Sequence, residues 1–99
     1  MKVINKKSEK FLSDYINIAS PTGFESSGQK LWLDYIKPYI DDYIVDTYGT
    51  VVGIINPNEK YKVVIEAHAD EISWFVHYIT KEGYISVSYT HLTLPTIIT

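Results

Sequence analysis

Tyr61-Lys62-Val63-Val64-Ile65-Glu66-Ala67-His68-Ala69-Asp70-Glu71-Ile72 joins an unbroken apolar run to a cluster of imidazole and carboxylate side chains. Val63, Val64 and Ile65 leave no polar position between them, as expected of a strand buried on both faces of a sheet. Such a strand needs helices on either side, so the reading is α/β. His68, Asp70 and Glu71 then fall in the loop leaving the strand, where open α/β sheets hold their ligands.

Upstream, Ser8 reads as an N-cap with Glu9 in the first turn. Phe11, Leu12, Tyr15, Ile16 and Ala19 recur at helical spacing, which predicts an amphipathic helix over Ser8–Ala19. Ser20-Pro21-Thr22-Gly23 ends it, because Pro21 disfavours helix at Ser20 and Gly23 permits a tight reversal. A second helix is expected over Phe24–Lys37, with Leu31, Trp32, Tyr35 and Ile36 toward its buried side and Pro38 near its end. Gly28 weakens its first turns by ~1 kcal/mol of helix propensity. The period then changes. Tyr43–Thr47 and Val51–Ile55 are β-branched runs flanking Tyr48-Gly49-Thr50, which predicts a hairpin. Asn56-Pro57-Asn58 is turn chemistry, and Ile72–Thr80 with Tyr84–Ser86 forms a further strand pair around Lys81-Glu82-Gly83. Two helices give too little cover for a strand buried on both faces, so the domain reads as incomplete.

Composition narrows the function classes. The chain has 99 residues, 45% hydrophobic and 21% charged, enough for one small domain. No apolar run reaches the ~18–20 residues of a membrane span, and no apolar stretch follows Lys2, Lys6 and Lys7, so neither a membrane partner nor a secretory signal is expected. The net charge of −3 is mixed along the sequence. It offers no basic face, and nucleic acid is not an expected partner. With no Cys, any metal must be held by His, Asp or Glu, which fits a cytoplasmic setting. The nine Tyr read as half-buried residues whose hydroxyls reach water.

The chemistry lies at His68. A neutral imidazole nitrogen can bind a divalent metal such as zinc. Asp70, two residues on, can accept the other ring N–H, fixing the tautomer and raising the basicity of the imidazole. The spacing alone fits equally a solvated turn between strands, with His68 bonded to a backbone carbonyl. His77 reads as a half-exposed strand residue.

Three separated blocks carry a resemblance. Ser20-Pro21-Thr22-Gly23-Phe24-Glu25 resembles an "S-P-S-G-F-E" segment, Asp46-Thr47-Tyr48-Gly49-Thr50-Val51 a "D-x-x-G-N" hairpin, and Ala67-His68-Ala69-Asp70-Glu71-Ile72 an "A-H-M-D-E-I-G" box. In this order and spacing they resemble the tetrahedral, or glutamyl, aminopeptidases, a family of dinuclear metallopeptidases also called endoglucanase-M-like. The resemblance runs from about Phe11 to Ile85. It implies the N-terminal part, two helices and then a run of strands, of a three-layer α/β/α zinc-peptidase catalytic domain.

By the same resemblance, His68 matches the family's first metal ligand. Asp70 matches the carboxylate that hydrogen-bonds that ligand and is counted among the catalytic residues. Glu71 matches a family position without a metal role. Thr50 departs from the usual Asn, Ala69 from the usual Met, and Ser73-Trp74 from Gly and an apolar residue; none of these removes a metal-binding atom. The bridging Asp, the Glu pair, the further carboxylate and the final His have no counterpart here. The resemblance therefore implies two divalent ions, Zn or Co, in a longer parent, and at most weak single-metal binding in this chain. It also implies a peptide substrate and a large homo-oligomer for the parent, with this chain alone inactive. Val87-Ser88-Tyr89-Thr90-His91-Leu92-Thr93-Leu94-Pro95-Thr96 resembles a translated sequencing-library adapter. Residues 1–86 are thus expected to be the catalytic-domain part and 87–99 a non-native tail; the alternative is a native strand over Val87–Thr93. Two other readings stand beside the peptidase: a small complete α+β binding module without catalysis, and part of a related aminoacylase-like or dipeptidase-like two-metal hydrolase.

Overall fold

The computed structural model describes residues 3–89. Its first element, α1 (Lys6–Ile16), begins two residues earlier than the sequence predicts. Asn5 is the N-cap: its side chain accepts from the Ser8 N–H at 3.0 Å, and Ser8 Oγ accepts from the Asn5 N–H at 2.9 Å. Ser8 is therefore the third helical residue of a capping box, which satisfies two otherwise orphaned donors together. Asn17 closes the other end by donating from Nδ2 to the Ser13 carbonyl at 2.8 Å, so Ala19 lies outside the helix. After the turn at Gly23 (φ 87°), α2 (Ser26–Ile36) runs into a 3-10 turn at Lys37–Tyr39. Phe11 stacks on Tyr35 with ring centroids 4.1 Å apart and joins the two helices.

The first hairpin pairs β1 (Asp42–Val45) with β2 (Val51–Ile54), Asp42 opposite Ile54 and Val45 opposite Val51. The α2 helix packs on β2 so closely that a Cβ at Gly53 would lie 2.7 Å from Ile36 Cδ1. Asp46 holds the turn by accepting the Tyr48 and Thr50 N–H groups, each at 2.9 Å. These backbone bonds, that of Thr50 first, keep its carboxyl below the usual carboxylate range. A depressed folded pKa stabilises the turn above the ordinary value and loses that contribution as pH falls through the folded one. Acidification below the ordinary carboxylate range is thus expected to fray this hairpin first. Amide shifts of Tyr48 and Thr50 would follow one acid titration, and Asp46→Ala should abolish it; shifts indifferent to pH would refute the assignment.

The second hairpin pairs β3 (Trp74–Ile79) with β4 (Ile85–Tyr89), irregular between Val76 and Tyr78. Val87, Ser88 and Tyr89 lie opposite Val76, Phe75 and Trp74, so the first three residues of the expected tail continue a strand. Residues 90–99, including His91, lie outside the described residues.

Two helices followed by strands match the predicted order, but Tyr61–Ile65 does not form the expected buried strand. Val63, Val64 and Ile65 are 75%, 82% and 94% exposed. The reason is topological: β1–β2 and β3–β4 are separate two-stranded sheets, each paired only within itself, and neither lends an edge to this segment. Burial fails with pairing. Among the described residues no apolar side chain is buried, and the radius of gyration is 18.3 Å, against ~13 Å for a compact domain of about this length. Tyr15 and Tyr35 are half-buried as expected, whereas Tyr48, Tyr61 and Tyr84 stand exposed.

Ser20, 4% exposed, packs against Gly28, which is buried in α2. A Cβ on Gly28 would lie 2.4 Å from Ser20 Oγ, an oxygen with no hydrogen-bond partner among the described residues. Gly28→Ala would normally favour a helix by ~1 kcal/mol. Here overpacking is expected to reverse the sign, weakening α2 by about 1–2 kcal/mol. Ser20→Ala should be neutral or stabilising and should relieve the Gly28→Ala defect. Amide exchange of α2 measures both, and greater protection in Gly28→Ala alone would contradict the crowding.

Candidate functional site

The site begins where the chain between the two helices meets residues 69–71. Glu71 donates its N–H to the Ser20 carbonyl at 2.9 Å, and Ser20 returns its own N–H to Glu71 Oε1 at 2.8 Å. Pro21 and Glu71 form a parallel bridge. Thr22 Oγ1 donates to Asp70 Oδ2 at 2.7 Å, and the Tyr15 hydroxyl donates to the Ala69 carbonyl at 3.2 Å. Burial chiefly, with the charges of Glu71 and Asp70, raises the pKa of Tyr15 above its ordinary value, which keeps it a proton donor.

Asp70 in turn fixes His68. The imidazole Nδ1 lies 2.9 Å from the Asp70 carbonyl oxygen and 3.0 Å from Asp70 Oδ1. A carbonyl can only accept, and so can an ionised carboxylate, so Nδ1 carries the proton and the lone pair resides on Nε2. The side chains are 16% exposed for Asp70 and 85% for His68. The carboxylate is thus the anchored partner and the imidazole reaches outward. The backbone carbonyl contact foreseen for a simple solvated turn is present as well, shared with the carboxylate.

The hairpin supplies the third wall. Gln29 Nε2 donates to the Gly49 carbonyl at 2.8 Å, tying α2 to the β1–β2 turn. An open pocket of about 230 Å³ results, lined by Glu25, Gly49, Thr50, Ala67, His68 and Asp70 among others. All three sequence blocks, far apart along the chain, therefore meet at one place. Behind it lies a larger apolar cavity of about 630 Å³ between α2, β2 and residues 64–67. His77 is elsewhere, in β3, edge-on to Tyr78 at 5.5 Å. No group of three His, Asp or Glu able to hold a metal occurs among the described residues.

No protein-family profile matches the chain. A protein of Acetivibrio thermocellus named as an aminopeptidase is 30% identical over 77 residues, covering 78% of this chain and 23% of that protein. The lysyl aminopeptidase of Pyrococcus furiosus is 34% identical over 73 residues, covering 71% and 21% respectively. The crystal structure of a TET aminopeptidase from a marine-sediment Thaumarchaeota archaeon superposes with a TM-score of 0.75 at 30% identity, over 84% of this chain and 23% of that one. The chain is homologous to part of the TET-like aminopeptidases. It spans between a fifth and a quarter of the length of the curated relatives it matches.

Within this TET-like segment, sequence reasoning assigns Thr22 only to a turn and gives Glu71 no task. Both clamp the His68 loop. Their place inside two of the three recognisable blocks was the available signal; turn propensity explains Pro21 and Gly23 but not a hydroxyl between them. Thr22→Val should remove this bond to Asp70, at a cost of about 1.5–3 kcal/mol for a hydrogen bond to a charged group, and Thr22→Ser should restore it. Imidazole ¹⁵N shifts of His68 are the measurement. An unchanged preference for the Nδ1–H tautomer in Thr22→Val would show that the hydroxyl does not orient the pair.

Proposed function

We propose that this segment supplies His68 as one ligand of a metal centre in an aminopeptidase that removes N-terminal residues from peptides. The observation that carries the reading is the Nδ1–H bond from His68 to Asp70, which leaves the lone pair on Nε2 of an imidazole that is itself exposed. Asp70 is then the positioning carboxylate, held from behind by Thr22. The donor chemistry fits a divalent ion, but one imidazole is a single donor where about four are needed. The other ligands therefore come from a longer polypeptide, and this chain alone is inactive.

A divalent ion bound in such a centre supplies Lewis acidity toward water and the peptide carbonyl. The residues present orient one ligand and form part of one pocket wall. Zinc or cobalt in pairs, assembly of the whole enzyme into a large homo-oligomer and a cytoplasmic location complete the reading. They are supported by the likeness to aminopeptidases, one of them a TET aminopeptidase. Among the described residues no helix is long and apolar enough to cross a membrane.

The test is a chimaera in which residues 3–86 replace the matching segment of the Pyrococcus furiosus lysyl aminopeptidase. Retained peptidase activity with bound metal supports the reading. A chimaera that assembles to the parental size but binds no metal overturns it.

A further inference from the structure

The peptide unit joining Asp70 to Glu71 is bonded at both of its ends. Its carbonyl oxygen lies 2.9 Å from His68 Nδ1, and its N–H, on Glu71, donates to the Ser20 carbonyl at 2.9 Å. A trans peptide is planar, so the two groups point opposite ways from one rigid plate. Tilting the Glu71 N–H therefore tilts the oxygen that the imidazole addresses. One bond to Ser20 would let the plate swivel. Glu71 adds a second: its Oε1 accepts the Ser20 N–H at 2.8 Å, so a single residue grips both backbone groups of another. Ser20 is a firm anchor for this grip, being 4% exposed and packed on Gly28 of α2.

We propose that Glu71 is a positioning residue of the metal centre, its side chain locking the 70–71 peptide so that His68 keeps its proton on Nδ1 and presents Nε2 to the ion. The inference rests on the reading of His68 as a ligand, and it gives Glu71 no contact with metal or substrate. Neighbouring contacts act in the same sense. Tyr15 donates to the Ala69 carbonyl and steadies the preceding peptide, while Thr22 holds the Asp70 carboxylate. All these bonds form within this chain, between residues 15–22 and 69–71. What the clamp asks of Glu71 is reach and an acceptor oxygen. A metal ligand or a general base would need the ionised carboxylate itself.

Three variants separate these roles. Glu71→Gln keeps the acceptor at the same reach, Glu71→Asp keeps the charge but is one methylene shorter, and Glu71→Ala keeps neither. The first readout needs no metal: imidazole ¹⁵N shifts of His68 in the 99-residue chain. The ratio of Nδ1–H to Nε2–H tautomer should fall about tenfold in Glu71→Ala and Glu71→Asp, roughly one hydrogen bond lost, and stay within about twofold in Glu71→Gln. In the chimaera, metal affinity should follow the same order and fall about tenfold in Glu71→Ala, the lower end for a partner that orients a ligand. At saturating metal, kcat should return to within about twofold, because no group at the reacting atoms is lost. An unchanged tautomer ratio in Glu71→Ala, a Glu71→Gln variant as poor as Glu71→Ala, or a kcat that stays low with metal fully bound would each overturn the proposal. Should Glu71→Ala prevent assembly of the chimaera, the tautomer series in the 99-residue chain decides. His68→Ala tells the two readings apart. A chimaera that keeps its metal without His68 refutes the ligand itself, whereas one that loses metal with His68→Ala but is indifferent to Glu71 sinks only the positioning role.

Discussion

In the chimaera with the Pyrococcus furiosus enzyme, His68→Ala is expected to lower metal affinity by on the order of a hundredfold and to remove peptidase activity. The magnitude follows from sharing a structural-zinc binding energy of about 10–16 kcal/mol among four ligands, roughly 3 kcal/mol each. Alanine offers no donor, and the 85% exposure of the imidazole means that the substitution leaves no hole to destabilise the fold. Asp70→Ala should act through His68 instead, with a loss of about 10–100-fold, as expected for a partner that orients a ligand. Metal content after dialysis, read beside assembly size, separates ligand loss from misfolding. A correctly assembled His68→Ala chimaera that keeps its metal and turns over peptide would end the proposed role. For the 99-residue chain, calorimetry should show zinc binding no tighter than about millimolar and dependent on His68, because one imidazole is a fraction of a site. Micromolar binding there would mean that the other donors are in this chain after all.

Much of this was legible because it is local. The helix breaks at Ser20–Gly23, the hairpin around Tyr48–Thr50 and the strand pair around Lys81–Gly83 each rest on turn chemistry written in a few adjacent residues. The start of α1 was misread by two residues because Ser8 and Asn5 both cap, reciprocally, and composition alone does not rank the pair. Gly28 looked like a weakness in a helix; its reason is the neighbouring Ser20, a contact no periodicity reveals. Tyr61–Ile65 was misread in the other direction. Its apolar run specifies what the segment would bury if strands flanked it, and burial depends on partners rather than on the run itself. The site shows the same division. His68 and Asp70 are two residues apart and could be read as a pair, whereas Thr22 reaches Asp70, and Tyr15 the Ala69 carbonyl, from about fifty positions away.

Heating the chain is expected to produce a broad and shallow loss of structure. A compact domain of about 100 residues melts with an enthalpy of ~60–80 kcal/mol, which makes the transition sharp. That enthalpy comes with a shared core, and here no apolar side chain is buried among the described residues. Phe11–Tyr35 between the helices and Phe24–Phe75 toward the second hairpin are single contacts rather than a common interior. The capped α1, the Asp46 turn and the β3–β4 pair each have their own local support, so each should lose structure at its own temperature. Far-UV and near-UV signals are therefore expected to diverge, with near-UV ellipticity weak despite nine Tyr and two Trp. A single sharp transition with coincident probes would require cooperative packing. It would mean that Val63, Val64 and Ile65 find cover within one copy of the chain, contrary to the exposed arrangement described above.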